Sequence, residues 1–334
     1  MDYLMPAEWA PHQRCWIAWP CRESLWHTAA GLDAARHAYA QVARAIAAFE
    51  PVTMIARPED AAMARQLCGD GVQVAPYPLD DSWMRDIGPS FVRGSDGALA
   101  GVCWRFNGWG GKYRPFERDA ALATALLDDL GIARLETPLI MEGGAIHVDG
   151  RGTMIATEQC LLNPNRAAGL SRAGIEAEFS RLLGIEQVIW LGEGLSGDET
   201  DGHVDNLCCF AGERRLLLQG CADRADPNFA IAADALARLK AARDCDGRSF
   251  EIGILPMPAP RHDVAGARLI LSYVNFYIAN GAVIVPAFDD PADEPARAMI
   301  GACFPGRQVV QLPALDIVAG GGGIHCITQQ MPAL

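Results

Sequence analysis

Leu32, Ala35, Tyr39, Val42, Ile46 and Phe49 recur at alternating steps of three and four, which marks one apolar face of a helix. Pro51 ends it, and Val52-Thr53-Met54-Ile55 follows as a strand. The same order returns four times: helical runs over about 119 to 130, 171 to 183, 228 to 242 and 292 to 303 lead into short β-rich runs. Gln187-Val188-Ile189-Trp190-Leu191 and Arg307-Gln308-Val309-Val310 are two of these. A polar or glycine-bearing loop and then an apolar hairpin come after each strand. The hairpin turns fall at Ser95-Asp96-Gly97, Asp149-Gly150, Ala211-Gly212 and Asn280-Gly281, residues that tolerate the positive φ of tight turns.

Asp86, Glu142, His203, Asn275 and Cys326 sit at the loop-to-hairpin junctions of the five units, separated by 56, 61, 72 and 51 residues. A unit of this length cannot bury its own apolar face, whereas five in a ring bury a common core and aim their junctions at one axis. The fifth unit runs out of chain at Leu334 before its second hairpin strand, and Arg14-Cys15-Trp16-Ile17-Ala18-Trp19 can supply it, closing the ring and removing exposed edges. The predicted fold is α/β, five such units closed into a ring, in one domain over residues 1–334. A doubly wound sheet is the competing architecture, but no G-x-G-x-x-G follows a strand and no P-loop is present.

Composition narrows the chemistry. Half of the 334 residues are hydrophobic, enough for a large core, and no apolar run reaches the length of a membrane span. Met1-Asp2-Tyr3-Leu4-Met5-Pro6 lacks the basic and apolar regions of a signal peptide, so a cytoplasmic location and no membrane partner are expected. Eleven cysteines without C-x-x-C spacing read as reduced thiols rather than a disulfide framework or a zinc site. A net charge of −13 without a basic stripe speaks against a nucleic-acid partner and suits a small cationic substrate.

The run Gly320-Gly321-Gly322-Gly323-Ile324-His325-Cys326-Ile327 delivers a cysteine from four glycines onto what reads as a short buried strand. Glycines crowd where backbone approaches something closely, so Cys326 is the first candidate nucleophile, against the reading of a small buried hydrophobe. If Gly202-His203-Val204-Asp205-Asn206 is extended, its period of two puts His203 and Asp205 on one side; by the same rule His325 faces away from Cys326, leaving His203 as the better base. Asp198, Glu199, Asp201 and Asp205 do not match the spacing of a calcium loop. Trp83 offers a flat face and Asp86 two acceptors to a planar cation, an arrangement that an internal arginine such as Arg85 could equally satisfy. Glu142 precedes Gly143-Gly144, where a ligand or backbone can pass close.

These stretches together carry a resemblance. Met5-Pro6-Ala7-Glu8-Trp9, Trp16-Ile17-Ala18-Trp19-Pro20, Trp83-Met84-Arg85-Asp86-Ile87-Gly88-Pro89, Glu142-Gly143-Gly144, Asp198-Glu199-Thr200-Asp201-Gly202-His203-Val204-Asp205-Asn206, Ser272-Tyr273-Val274-Asn275 and Gly321-Gly322-Gly323-Ile324-His325-Cys326-Ile327-Thr328-Gln329-Gln330 resemble the agmatine deiminases of the bacterial peptidylarginine-deiminase superfamily. The resemblance implies for the ring a pentein fold, a five-bladed α/β propeller with pseudo-fivefold symmetry and its site on the axis, together with hydrolysis of a guanidinium to a ureido group and ammonia, and no metal or other cofactor. Carried over by position, Cys326 is the nucleophile, His203 the acid and base, Asp86 and Asp205 the guanidinium-binding carboxylates, and Glu142 the acid that contacts the guanidinium and supports the histidine. Trp83, Trp109, Asn275 and Gly323 complete the implied substrate wall, and a homodimer is the assembly allowed for. Two departures concern the substrate: Trp109-Gly110-Gly111 passes directly to Lys112-Tyr113-Arg114-Pro115, where the family typically carries a longer loop, and Pro260 to Arg268 is short. The alternatives are a deiminase of free or peptidyl arginine, with Lys112, Arg114 or Arg105 meeting the carboxylate, and a non-catalytic propeller-type binding factor.

Overall fold

The computed structural model describes residues 2–167 and 169–334. Among them the strands form five small sheets. Each is built from an antiparallel hairpin, a helix, and a strand that returns parallel to the second arm of the hairpin. Ser90–Gly94 and Leu99–Cys103 pair antiparallel, the helix Glu117–Leu130 crosses over, and Ala133–Glu136 joins Leu99–Cys103 in parallel. Ile146–Val148, Thr153–Thr157 and Gln187–Leu191 repeat the arrangement around the helix Arg172–Leu183. Cys208–Phe210, Arg215–Gln219 and Glu251–Leu255 do so around Pro227–Ala241, and Tyr277–Ala279, Ala282–Ala287 and Gln308–Pro313 around Asp293–Cys303.

The fifth sheet is made from both ends of the chain. Thr328–Pro332 lies antiparallel to His12–Ala18, with Gln329 opposite Trp16 and Thr328 opposite Ile17, and the helix Ala29–Ala47 then leads to Val52–Ala56 in parallel. The N-terminal segment therefore completes the last blade as its sequence predicts. A second crossover, Ala61–Cys68, adds Val72–Pro76, and Tyr3–Leu4 caps the edge of Ser90–Gly94. Neither of these additions follows from the repeat.

Local chemistry explains where the helices stop. Thr28 and Ser171 accept backbone N–H groups of the first turn, Asp226 does so just ahead of Pro227, and Gly131 and Gly184 take left-handed φ at the C-terminal ends. The first helix buries Leu32, Ala35, Tyr39, Val42 and Ile46, while Phe49, assigned to the same face, lies in the turn beyond Ala47. No helix among the described residues is long and apolar enough to cross a membrane.

Closure places one polar side chain from each junction near the axis and ties the last blade to the first. Arg85, 2% exposed, donates to Gln329 Oε1 at 2.7 Å, and Gln329 Nε2 donates to the Pro89 carbonyl at 2.7 Å. Removing residues 328–334 deletes the strand paired with His12–Ala18 and leaves that strand's edge open. The expected outcome is loss of a cooperative thermal transition by circular dichroism and aggregation on size exclusion, whereas removing Leu334 alone leaves both unchanged.

Candidate active site

The nucleophile loop differs from the sequence reading. Ile324–Ile327 forms a turn, and the strand begins only at Thr328. The glycines serve close approach: a Cβ on Gly322 would lie 2.6 Å from the Trp83 ring, and one on Gly323 2.3 Å from Asn275 Oδ1. Asn275 Oδ1 accepts the His325 N–H at 2.9 Å and its Nδ2 donates to Cys326 Sγ at 3.2 Å, so Asn275 and Gly323 brace the thiol from behind. Cys326 Sγ also lies 3.5 Å from Asp205 Oδ2. Burial, together with the Asp205 and Asp86 carboxylates, pushes this thiol well above its ordinary range.

His203 and Asp205 share the site for a reason other than the period of two. Val204–Asn206 is a single 3-10 turn, in which residues two apart do not alternate across a strand. His203 caps that turn and sends Nε2 to Glu142 Oε2 at 3.2 Å, with Nδ1 3.9 Å from Asp86 Oδ1. Gly144 lets these groups converge, since a Cβ there would meet His203 Nδ1 at 2.7 Å and oxygens of Asp205 and Asp86 at 3.0 Å each. Burial opposes a charged His203, but Asp86, Cys160 and Glu142 outweigh it and hold the ring as an imidazolium well above its usual range. Glu142 is fully buried, yet Arg166 donates to both its oxygens, Nε at 2.8 and 3.1 Å, and keeps it ionised despite the cost of burial.

Asp205 and Asp86 are both buried but differ in charge state. Burial would raise Asp205, but His325 Nδ1, 2.8 Å from Oδ2, overrides it and holds the carboxyl below its ordinary value. Its Oδ1 is buried without a hydrogen-bond partner. Asp86 accepts from Trp109 Nε1 at 2.8 Å and from the Gly144 N–H at 3.0 Å. Burial pushes Asp86 up to about 6 against the pull of His203, with Asp205 and Glu142 adding to the rise. Arg85 is not its partner: that guanidinium turns to Gln329 and Glu8.

A cleft opens onto Cys326 and Asp86, lined also by Trp83, Trp109, Tyr113 and Asn206 among others, while His203, Asp205, Glu142 and Asn275 are not part of its lining. Trp83 stacks on Trp26, ring centres 6.2 Å apart, and presents its remaining edge to the cleft. Farther out, Lys112 Nζ is paired to Asp201 Oδ1 at 2.6 Å, and Arg105 and Arg114 are exposed; none of the three lines the cleft. Glu199 does line it, accepting the Tyr113 hydroxyl, with no cationic partner in ion-pair range among the described residues. Asp198 caps its own loop through Thr200 and Asn206, and Asp201 pairs with Lys112 and Arg166, which disposes of a calcium loop.

No motif or periodicity pointed to Arg166, a lone arginine in an irregular loop that turns out to hold Glu142. It also did not assign Asn206 to the cleft wall or Glu8, Arg85 and Gln329 to the axis, although all four stand in the stretches that carried the resemblance. Two compact clusters have metal-ligand types, Glu8–His147–His325 and Glu142–Cys160–His203. In each the carboxylate already carries a guanidinium, Arg85 at 3.3 Å and Arg166 at 2.8 Å.

Comparison with known proteins bears on the family and the fold. Residues 4–332 match the Porphyromonas-type peptidyl-arginine deiminase family. The agmatine deiminase of Stutzerimonas stutzeri is 46% identical over 354 aligned positions, covering 99% of this chain and 96% of the relative. That of Pseudomonas aeruginosa is 44% identical with the same coverage. Among solved structures, the agmatine deiminase of Enterococcus faecalis superposes with a TM-score of 0.94 at 33% identity, covering 99% of this chain and 96% of that one. A C. jejuni agmatine deiminase with substrate bound gives 0.91 at 26% identity, with coverages of 99% and 96%. A family match over almost the whole length, joined to relatives this similar, places the chain in the Porphyromonas-type peptidyl-arginine deiminase family.

Proposed function

We propose that this chain, acting as one catalytic domain over residues 1–334, hydrolyses agmatine to N-carbamoylputrescine and ammonia through a covalent intermediate on Cys326. The observation that carries the reading is a thiol at the foot of a cleft, beside the buried carboxylates of Asp86 and Asp205, neither of which has an arginine or lysine partner. A guanidinium is the planar cation that such a pair would hold with its carbon presented to sulfur.

As the substrate cation enters, the Cys326 thiol releases its proton to solvent, and in the first half-reaction the thiolate sulfur bonds to the guanidinium carbon. The tetrahedral adduct collapses as His203, already an imidazolium, gives its proton to the departing nitrogen, which leaves as ammonia. The product is an S-alkylthiouronium. Neutral His203 next takes a proton from water, whose oxygen bonds to the same carbon, and collapse breaks the C–S bond while the remaining hydroxyl proton passes to solvent, releasing the neutral ureido product and regenerating the thiolate. Arg166 and Glu142 keep the ring in place throughout. The free enzyme protects its thiol: burial and the Asp205 and Asp86 carboxylates disfavour the thiolate until a cation enters and offsets them.

At the outer end the substrate's ammonium meets Glu199 and Tyr113. Arginine would bring a carboxylate there beside its ammonium, with Lys112 already committed to Asp201. Desolvating that carboxylate without a partner costs several kcal/mol, which favours agmatine.

Cys326→Ser should fold, bind agmatine and lose nearly all turnover. At pH 7 a cationic 2-haloacetamidine should alkylate Cys326 at least about tenfold faster than the neutral haloacetamide, because only the cation offsets the carboxylates beside sulfur; equal rates read by mass spectrometry would contradict the binding roles of Asp86 and Asp205.

The pH dependence follows from Asp86. Its carboxyl is raised to about 6, so as the pH falls through that value the free enzyme gains a proton where it must offer a charge. The ratio kcat/KM should fall tenfold per unit below about pH 6, and Asp86→Asn should lower it by at least about a hundredfold at pH 8.

For the outer end, wild-type kcat/KM should favour agmatine over arginine by at least about a hundredfold, and Glu199→Gln should raise KM for agmatine about tenfold with little change in kcat. An arginine preference would reassign the substrate and leave the reaction class standing.

A further inference from the structure

Four side chains from the stretches that carry the family resemblance have no part in the chemistry above: Glu8, Arg85, His325 and Gln329. All are at most 5% exposed, and they meet beneath Asp205 and Cys326 although they come from opposite ends of the chain. His325 directs Nδ1 to Asp205 Oδ2 at 2.8 Å and Nε2 to Glu8 Oε1 at 2.9 Å. An ionised carboxylate only accepts hydrogen bonds, so an imidazole facing one at each nitrogen must carry both protons. His147 fixes the far side: its Nδ1 accepts the Phe210 N–H at 3.4 Å, so its proton sits on Nε2, 3.5 Å from Glu8 Oε2. Arg85 Nη1 reaches Glu8 Oε1 at 3.3 Å and Gln329 Oε1 at 2.7 Å. Two carboxylates thus face one imidazolium and one guanidinium, and the buried set is neutral.

We propose that His325 is a positioning residue: its ring, clamped between Asp205 and Glu8, holds Asp205 in the pose that commits Oδ2 to the imidazole Nδ1–H, 3.5 Å from Cys326 Sγ, and leaves Oδ1 as the free acceptor for the substrate's guanidinium. The proposal rests on the reading that Asp205 binds that cation. The two substrate carboxylates supply an internal comparison. Both are at most 5% exposed and both lie near Cys326, yet Asp86, without such a clamp, is raised to about 6 while Asp205 is held below its ordinary value. Asp205 Oδ1, buried and unpartnered, is the acceptor that the clamp leaves over.

The groups that face the His325 ring are Asp205 from the 3-10 turn, Glu8 from the N-terminal segment, Arg85 from the helical turn Met84–Ile87, and His147, whose ring centre is 6.0 Å away. Burial and Arg85 oppose a charge on His325, and Glu8 and Asp205 prevail, so its folded value is raised. The stability this gives is fully present below the ordinary value of about 6.5 and is lost as pH rises through the folded one.

The test compares wild type, Glu8→Gln, His325→Asn and the double variant for kcat and KM with agmatine from pH 6 to 9, with Tm recorded for each. Asparagine keeps a donor near the Nδ1 position but neither the charge nor the reach to Glu8. Glu8→Gln should raise KM at least tenfold at pH 8 with a smaller change in kcat, and the defect should shrink as the pH is lowered to 6.5 and the ring regains its proton. The double variant should be no worse than the poorer single one, since both cut the same linkage. A Glu8→Gln enzyme whose KM stays within twofold of wild type with an unshifted profile, or a double variant whose loss is the product of the single losses, would overturn the proposal. If either variant fails to fold, 15N NMR of histidine-labelled wild type decides: the clamp requires both His325 ring nitrogens protonated at pH 7.5, and a neutral ring refutes it. That reading is independent of turnover. Wild type inactive on every guanidine would refute the proposed function, while the ring's charge would still decide the clamp.

Discussion

Three carboxylates, Asp86, Glu142 and Asp205, are buried around one thiol, and the protein's own cations neutralise them unequally. Burying an ion costs several kcal/mol even after relaxation, so each charge must be offset nearby or be given up as a proton. Glu142 has Arg166 on both oxygens, and Asp205 has His325. Asp86 has a tryptophan N–H, a backbone N–H and the more distant His203, which is why it alone of the three drifts upward in pKa. With His203 held as an imidazolium the three carboxylates are matched in number, and a thiolate on Cys326 would be the one anion without a cation of its own. A guanidinium would supply that cation, so recognition of the substrate and activation of the nucleophile would be one electrostatic event.

Holding several like charges together needs a scaffold that local structure cannot provide, and the ring provides it. Each junction follows a parallel strand and precedes a hairpin, and five of them aimed at one axis bring together residues far apart in sequence. No blade carries the site alone: the thiol comes from one, the base from another, and the carboxylates from three. The antiparallel pairing of Thr328–Pro332 with His12–Ala18 turns an open row of blades into a ring, and it also fixes Cys326, two residues before that strand. Folding and assembly of the site are thus the same closure.

The repeat was legible because its physics is periodic. Helix faces at steps of three and four and short β-rich runs recur from unit to unit, Asp-Gly or Asn-Gly turns mark three of the hairpins, and the junction residues fall at corresponding places. The stretches that carry the chemistry are the aperiodic ones. Gly202–Asn206 looked extended and is a 3-10 turn; Ile324–Ile327 looked like the start of a strand and is a turn that precedes it. Both are short segments whose backbone is set by tertiary partners, Asn275 above all. Arg166 was invisible for a related reason: one arginine in an irregular loop has no pattern, and only the folded chain shows that it lies on Glu142. The Glu8–His325 contact spans 317 residues, a separation at which sequence can show that two motifs exist but not that they touch.

The segment after Trp109 links the mouth of the cleft to its base. Lys112 Nζ pairs with Asp201 Oδ1 at 2.6 Å, Asp201 Oδ2 with Arg166 Nη1 at 2.8 Å, Arg166 Nε with Glu142 Oε1 at 2.8 Å, and Glu142 Oε2 with His203 Nε2 at 3.2 Å. A second arm is shorter, from Trp109 Nε1 to Asp86 Oδ2 at 2.8 Å. Trp109 itself holds a left-handed φ of 53°, a conformation costly for a bulky residue unless its surroundings impose it, and the indole bond to Asp86 is one such imposition. The short loop thus does more than bound the cleft. It spends Lys112 on Asp201, which removes a cation that an arginine carboxylate would have needed, and through that same pair it anchors the guanidinium of Arg166 that keeps Glu142 ionised beneath His203. Selectivity at the mouth and orientation of the base share one chain of charges, and a longer loop at this place would have to satisfy Asp201 in some other way before it could admit a different substrate.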